Sequence, residues 1–107
     1  MISARALENA VRISFGTEVT TSLRNIRIDG AARGCSGFFV NPENNACVYV
    51  NTEASIDPKR ALLYRYADDT KDFTGYRDRY AKDFDDLVQK ISEMLKTPVK
   101  KASNVWL

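Results

Sequence analysis

Apolar positions spaced by four open the chain: Leu7, Val11 and Phe15 share one side of a helix that begins near Ser3, suited to cap it, and that Gly16 is placed to end. From Leu23 to Asp29 the period drops to two. Ile26 and Ile28 fall on one face and Asn25 and Arg27 on the other, the pattern of a half-buried strand. Thr17 to Thr21, β-branched and polar, either extends this strand or connects to it. Gly30, Gly34 and Gly37 then punctuate GAARGCSG, which reads as a small-residue loop ahead of Phe38, Phe39 and Val40. It is no phosphate cradle: no Lys followed by Ser or Thr comes after the second Gly, and no triple-Gly spacing opens a helix.

Asn41-Pro42-Glu43-Asn44-Asn45 tolerates turn geometry and separates two strand-like runs, so a hairpin is expected here. Counting outward from that loop puts Val40 opposite Ala46, Phe39 opposite Cys47 and Cys35 opposite Asn51. Beyond the hairpin, Cys47 and Tyr49 alternate with Val48 and Val50, giving one aromatic and one aliphatic face. After an acidic loop ending at Pro58, Arg60 to Ala67 forms a further strand, with Leu62, Tyr64 and Tyr66 on one face and Leu63 and Arg65 on the other. The longest periodic signal follows. Tyr80, Phe84, Leu87, Val88, Ile91 and Leu95 make one helical stripe, the lid of a sheet, with Lys82, Asp86, Gln89, Lys90 and Glu93 on its solvated side. Thr97-Pro98 stops the helix.

These elements predict an α+β fold: a four-stranded antiparallel sheet in the order α-β-β-β-β-α, its N-terminal and C-terminal helices on one face. At 107 residues the chain has the size of a single domain able to bury a core without metals or disulfides. Residues 98–107 form a tail ending in Val105, Trp106 and Leu107, too apolar to hang in solvent; it either docks on the core or serves as a handle for a partner.

Composition narrows the function more than it defines it. Sixteen Lys and Arg against fourteen Asp and Glu leave a net charge of +2, so no global field demands a nucleic acid or a membrane. Charge is nevertheless blocked locally. Residues 41–58 carry Glu43, Glu53 and Asp57 with no base, and residues 59–66 carry Lys59, Arg60 and Arg65 with no acid. The N-terminus lacks a basic segment followed by an apolar one, and no run of apolar residues is long enough to span a bilayer; a cytoplasmic protein away from membranes is expected. Cys35 and Cys47, several residues out of register, lie beyond the ~7 Å between Cα atoms that a disulfide tolerates, and read as small buried hydrophobes.

The chain contains no histidine. That removes the Ser-His and Cys-His nucleophile pairs, the commonest general base near neutral pH and the commonest metal ligand. No catalytic residue, metal or cofactor is therefore assigned. Asp68, Asp69 and Asp72 are the one dense carboxylate group, but they lack the spacing, central Gly and terminal Glu of a calcium loop. Two binding surfaces remain. The first is the charged aromatic turn between Tyr64 and Tyr80, where Asp69, Asp72, Tyr76, Arg77 and Arg79 are candidate partner-binding residues, joined by Arg60 and the Trp106 tail; Tyr, Trp and Arg are the residues that protein interfaces concentrate at hot spots. The second is the sheet face away from the helices, where Arg27 and Arg65 with Phe39 or Tyr49 would offer cations beside stacking platforms for nucleic acid.

In size and in its lack of catalytic residues the chain resembles the small stand-alone proteins with which phages and plasmids obstruct host defence complexes, anti-CRISPR proteins among them. That resemblance implies a non-enzymatic protein that occupies a partner's surface as an inhibitor of a larger complex. A nucleic-acid-binding accessory protein is the alternative.

Overall fold

The computed structural model describes residues 1–53, 57–72 and 76–99. Ser3 Oγ accepts from Ala6 N and starts α1 (Ala4–Ser14), whose Ala4, Leu7 and Val11 are buried. Among the described residues six strands follow: β1 (Thr20–Thr21), β2 (Arg24–Ile28), β3 (Ala31–Val40), β4 (Cys47–Asn51), β5 (Leu63–Ala67) and β6 (Arg79–Tyr80). A 3-10 turn at Pro58–Arg60 precedes β5, and α2 (Phe84–Leu95) ends the fold. All pairings are antiparallel; β3, β4, β5 and β6 run side by side, while β1 and β2 lie end to end along the outer edge of β3.

The class and the terminal helices are as expected, but among the described residues the sheet holds six strands rather than four. Thr20–Thr21 makes its own short pairing with Val40 and Phe39, and Tyr80, which the periodicity places in the stripe of the last helix, belongs instead to the short strand Arg79–Tyr80, paired with Tyr64 and Leu63. Both helices cover one face. Leu7 and Val11 of α1 and Leu87, Val88, Ile91 and Leu95 of α2 close over Cys35, Phe39, Val48, Val50 and Tyr64 in a single apolar cluster. A smaller cluster of Phe38, Cys47 and Ala67, edged by Val40 and Tyr49, lies on the other face.

Three local expectations need correction. The GAARGCSG tract is not a loop: Asp29 and Gly30, with φ of 52° and 80°, form a two-residue turn with both central residues left-handed, and β3 starts at once with Ala31. The hairpin register is one residue off the count, with Val40 opposite Cys47 and Phe39 opposite Val48, because Asn41 and Ala46 close the loop by themselves through Asn41 N to Ala46 O at 2.9 Å. Cys35 and Cys47 consequently lie on opposite faces, both free and buried. Finally, β2 turns its other side to the helices. Asn25 accepts the Ala4 N–H at 2.8 Å, satisfying an orphan donor at the start of α1, and Ile28 is left exposed.

Candidate functional site

The two proposed surfaces meet different fates in the fold. On the face away from the helices, β3, β4 and β5 set Phe38, Tyr49 and Arg65 side by side in one cross-strand row. Phe38 and Tyr49 rings are 5.2 Å apart, and the Arg65 guanidinium lies 4.3 Å from the Tyr49 ring centre. Arg65 Nη1 also donates to Asp78 Oδ1 at 2.9 Å. The row is a cation and its platforms, but it faces inward: Phe38 is 4% exposed and Arg65 6%. Thr70 borders the same hollow as Phe38, and the Cys47 thiol is raised by desolvation and then by the nearby Asp69, Asp72 and Asp68 carboxylates, so the acidic turn folds beneath this face.

The trio Arg27, Arg65 and Tyr49 is therefore not assembled. Arg27 follows Asn25 onto the helix side of β2, donates to the Gly30 carbonyl at 3.3 Å, and borders a hollow with Met1, Ile2 and Asn25. Phe39, the other expected platform, is fully buried under the helices; the aromatic beside Tyr49 is Phe38, as the one-residue change of register requires.

The charged turn divides into an anchored part and a presented part. Asp72 Oδ2 accepts from Asp68 N at 2.8 Å and Asp69 Oδ1 from Lys71 N at 2.7 Å, so both carboxylates hold the turn's own backbone. Among the described residues no three Cys, Asp or Glu side chains are placed to hold a metal ion. Tyr76 is half-buried; its hydroxyl donates to Asp68 Oδ1 at 2.6 Å and stands 3.3 Å from the Val99 carbonyl. Desolvation, then the hydrogen bond to Asp68 and the charges of Asp68 and Asp72, push the Tyr76 phenol well above its ordinary range. Phe73 and tail residues 100–107, Trp106 included, lie outside the described residues.

Arg77 and Arg79 belong to the presented part. Both are exposed, and Arg79 sits at the sheet edge with its guanidinium 5.7 Å from the Tyr66 ring. Next to it Tyr80 is 38% exposed, with Arg60 6.0 Å from its ring centre. Two shallow hollows meet at Tyr80: one of about 440 Å³ bordered by Tyr64, Arg77, Asp78 and Arg79, the other of about 290 Å³ bordered by Pro58, Lys59, Ala81 and Lys82. Nearby acids are engaged internally. Asp78 holds Arg65, Asp57 caps the 3-10 turn through Lys59 N and lies 3.8 Å from Arg60 Nε, and Asp83 caps α2. Lys59, Arg77, Arg79 and Lys82 form no ion pair among the described residues.

Sequence reasoning missed Tyr80, Lys59 and Lys82, because Tyr80 fits the helical arithmetic four residues before Phe84. A signal was present. Asp83 followed three residues later by Asp86 is a capping pattern, and it puts Tyr80 outside the helix. No protein family matches this chain, and neither a curated protein nor a solved structure does. No helix among the described residues is long and apolar enough to cross a membrane.

Proposed function

We propose that this is a non-enzymatic binding protein that acts by protein-protein contact, with the β6 edge as its contact surface. The observation that carries this reading is the imbalance around Tyr80: exposed cations from three segments surround an exposed aromatic, while the neighbouring carboxylates are turned to internal tasks. Interfaces favour this combination because Tyr and Arg join a large apolar area to a polar handle. Of the residues expected from sequence, Arg77 and Arg79 supply the contact directly; Asp69, Asp72 and Tyr76 hold the turn that presents them. An inhibitor of a larger complex is the role such a small protein would fill by covering a partner's surface.

The test is charge reversal. Arg77→Glu combined with Arg79→Glu should remove the partner recovered by wild-type protein from native host lysate, with the thermal midpoint shifted by no more than about 4 °C, since both are surface substitutions worth about 0.5 kcal/mol or less each. Arg24→Glu with Arg27→Glu, both exposed on the β2 edge, should leave recovery intact. Equal recovery by the β6 double variant and wild type would place the contact elsewhere.

A further inference from the structure

The ladder between β5 and β6 decides what β6 offers its surroundings. Ala81 N donates to Leu62 O at 2.9 Å, which makes Leu62 and Ala81 a hydrogen-bonded pair. Antiparallel pairs alternate, so the next pair, Leu63 and Tyr80, is non-hydrogen-bonded, and the Tyr80 N–H and C=O point away from β5. Among the described residues β6 is the last strand on this side of the sheet. An outward donor and acceptor on one residue at a sheet edge are the two groups that an added strand engages.

We propose, resting on the contact surface assigned above, that the β6 edge takes an extended acidic peptide segment of the partner as an additional strand. Tyr80 supplies the main-chain hydrogen bonds, Arg77 and Arg79 meet carboxylates on one face of the incoming segment, and Lys82 and Arg60, beside Tyr80, meet those on the other. Charge complementarity selects this occupant. Lys59, Arg60, Arg77, Arg79 and Lys82 outnumber Asp57, Asp78 and Asp83 along the rim, so a second copy of the chain would bring two net-positive rims together, whereas a strand bearing Glu or Asp is attracted. A single-stranded nucleic acid would also meet the cations. It would return no main-chain partner to Tyr80, and its continuous phosphates would run against the Asp57, Asp78 and Asp83 carboxylates set among the bases.

The probe is a short capped peptide of alternating Glu and Val, titrated into the full chain at low salt by NMR. The expected result is a shift and slowed exchange of the Tyr80 amide, with affinity reduced about tenfold or more by Arg77→Glu with Arg79→Glu. Two N-methylated peptides, substituted at alternate residues in opposite phases, carry the same charge but differ in which N–H groups remain. One phase should lose binding and the other keep it. Equal binding of both phases overturns strand addition while leaving an acidic contact at β6 intact. Absence of binding by any of the peptides, with lysate recovery still sensitive to charge reversal, overturns this inference but not the contact surface. Tighter binding of an oligothymidine than of the peptide overturns the choice of a protein segment in favour of nucleic acid.

Discussion

Gly34 sits in the middle of β3 with φ of +127°, and a methyl group added there would lie 2.3 Å from the Thr52 carbonyl oxygen. Neither the dihedral nor the backbone can yield cheaply, because Thr52 is itself bound to Cys35 through Thr52 N to Cys35 O at 2.8 Å. Gly30 has φ of +80°, yet nothing lies within 4 Å of its missing Cβ. Gly34→Ala should therefore cost ~3 kcal/mol or more, from strain plus overlap, and Gly30→Ala only the left-handed penalty of ~1–2 kcal/mol. Urea unfolding of the two variants checks this; equal losses would mean that the close approach at Thr52 relaxes freely. Composition alone gave the two glycines the same meaning, and only the neighbour across the sheet separates them.

At the scale of elements, α2 is held at both ends by groups from very different distances along the chain. At its start Asp83 Oδ1 accepts from Asp86 N at 2.8 Å, and Asp86 Oδ2 returns the favour to Lys82 N at 3.0 Å, while Asp85 and Asp86 put negative charge in the first turn. Asp83→Ala should lower stability by ~1 kcal/mol, seen as a lower urea midpoint at unchanged slope, and Asp83→Asn should retain most of it. No loss in the alanine variant would show that the reciprocal cap contributes nothing. At its other end the Leu95 carbonyl receives Asn41 Nδ2 at 2.9 Å and Asn44 Nδ2 at 3.2 Å, from the hairpin loop between β3 and β4. The asparagines were legible as turn formers, since that preference is local. Their second task is a contact across more than fifty residues of sequence, which no local pattern encodes.

The same division marks the strands. Alternation placed Tyr64 and Tyr66 opposite Leu63 and Arg65, and β4 split as expected, because those strands lie at the centre of the sheet with an apolar layer above them. It misled at β2, where Ile26 and Ile28 promised a buried face: Ile26 is only half-buried, Ile28 is exposed, and it is Asn25 that reaches the start of α1. An edge strand beyond the helices gains little by burying aliphatics, and the α1 terminus gains a hydrogen-bond partner.

For the molecule as a whole, the two cysteines report on the two sides of the sheet. Burial raises both thiols: Cys35 lies in the helix-side core, and Cys47, pushed up to about 12 by desolvation and then by Asp69, Asp72 and Asp68, lies under the acidic turn. The sign follows from the neutral form being favoured in the folded chain. Below the ordinary value of 9.0 both states keep their protons and stability does not depend on these groups; above it the unfolded chain ionises first, so stability falls until the folded Cys47 ionises near 12. Thermal melts should be flat in this respect up to pH 9.0 and decline beyond it, with the decline shallower in Cys47→Ala. An identical alkaline slope in that variant would remove Cys47 from the account. Neither thiol should react with a thiol reagent at neutral pH before unfolding, as both are buried and protonated.

By itself the sequence determined the α+β class, the two helices with their apolar stripes, the central strands and the absence of histidine chemistry, because period, capping and composition act over a few residues. Tertiary structure decided which exposed residues stand together. It turned Arg27 to the side of β2 opposite Arg65, buried Phe38 and Arg65 on either side of Tyr49, and drew Tyr80 out of the helical stripe to pair with Leu63. The β6 edge came into being only then, since its cations come from segments that meet through strand pairing rather than through proximity in the chain.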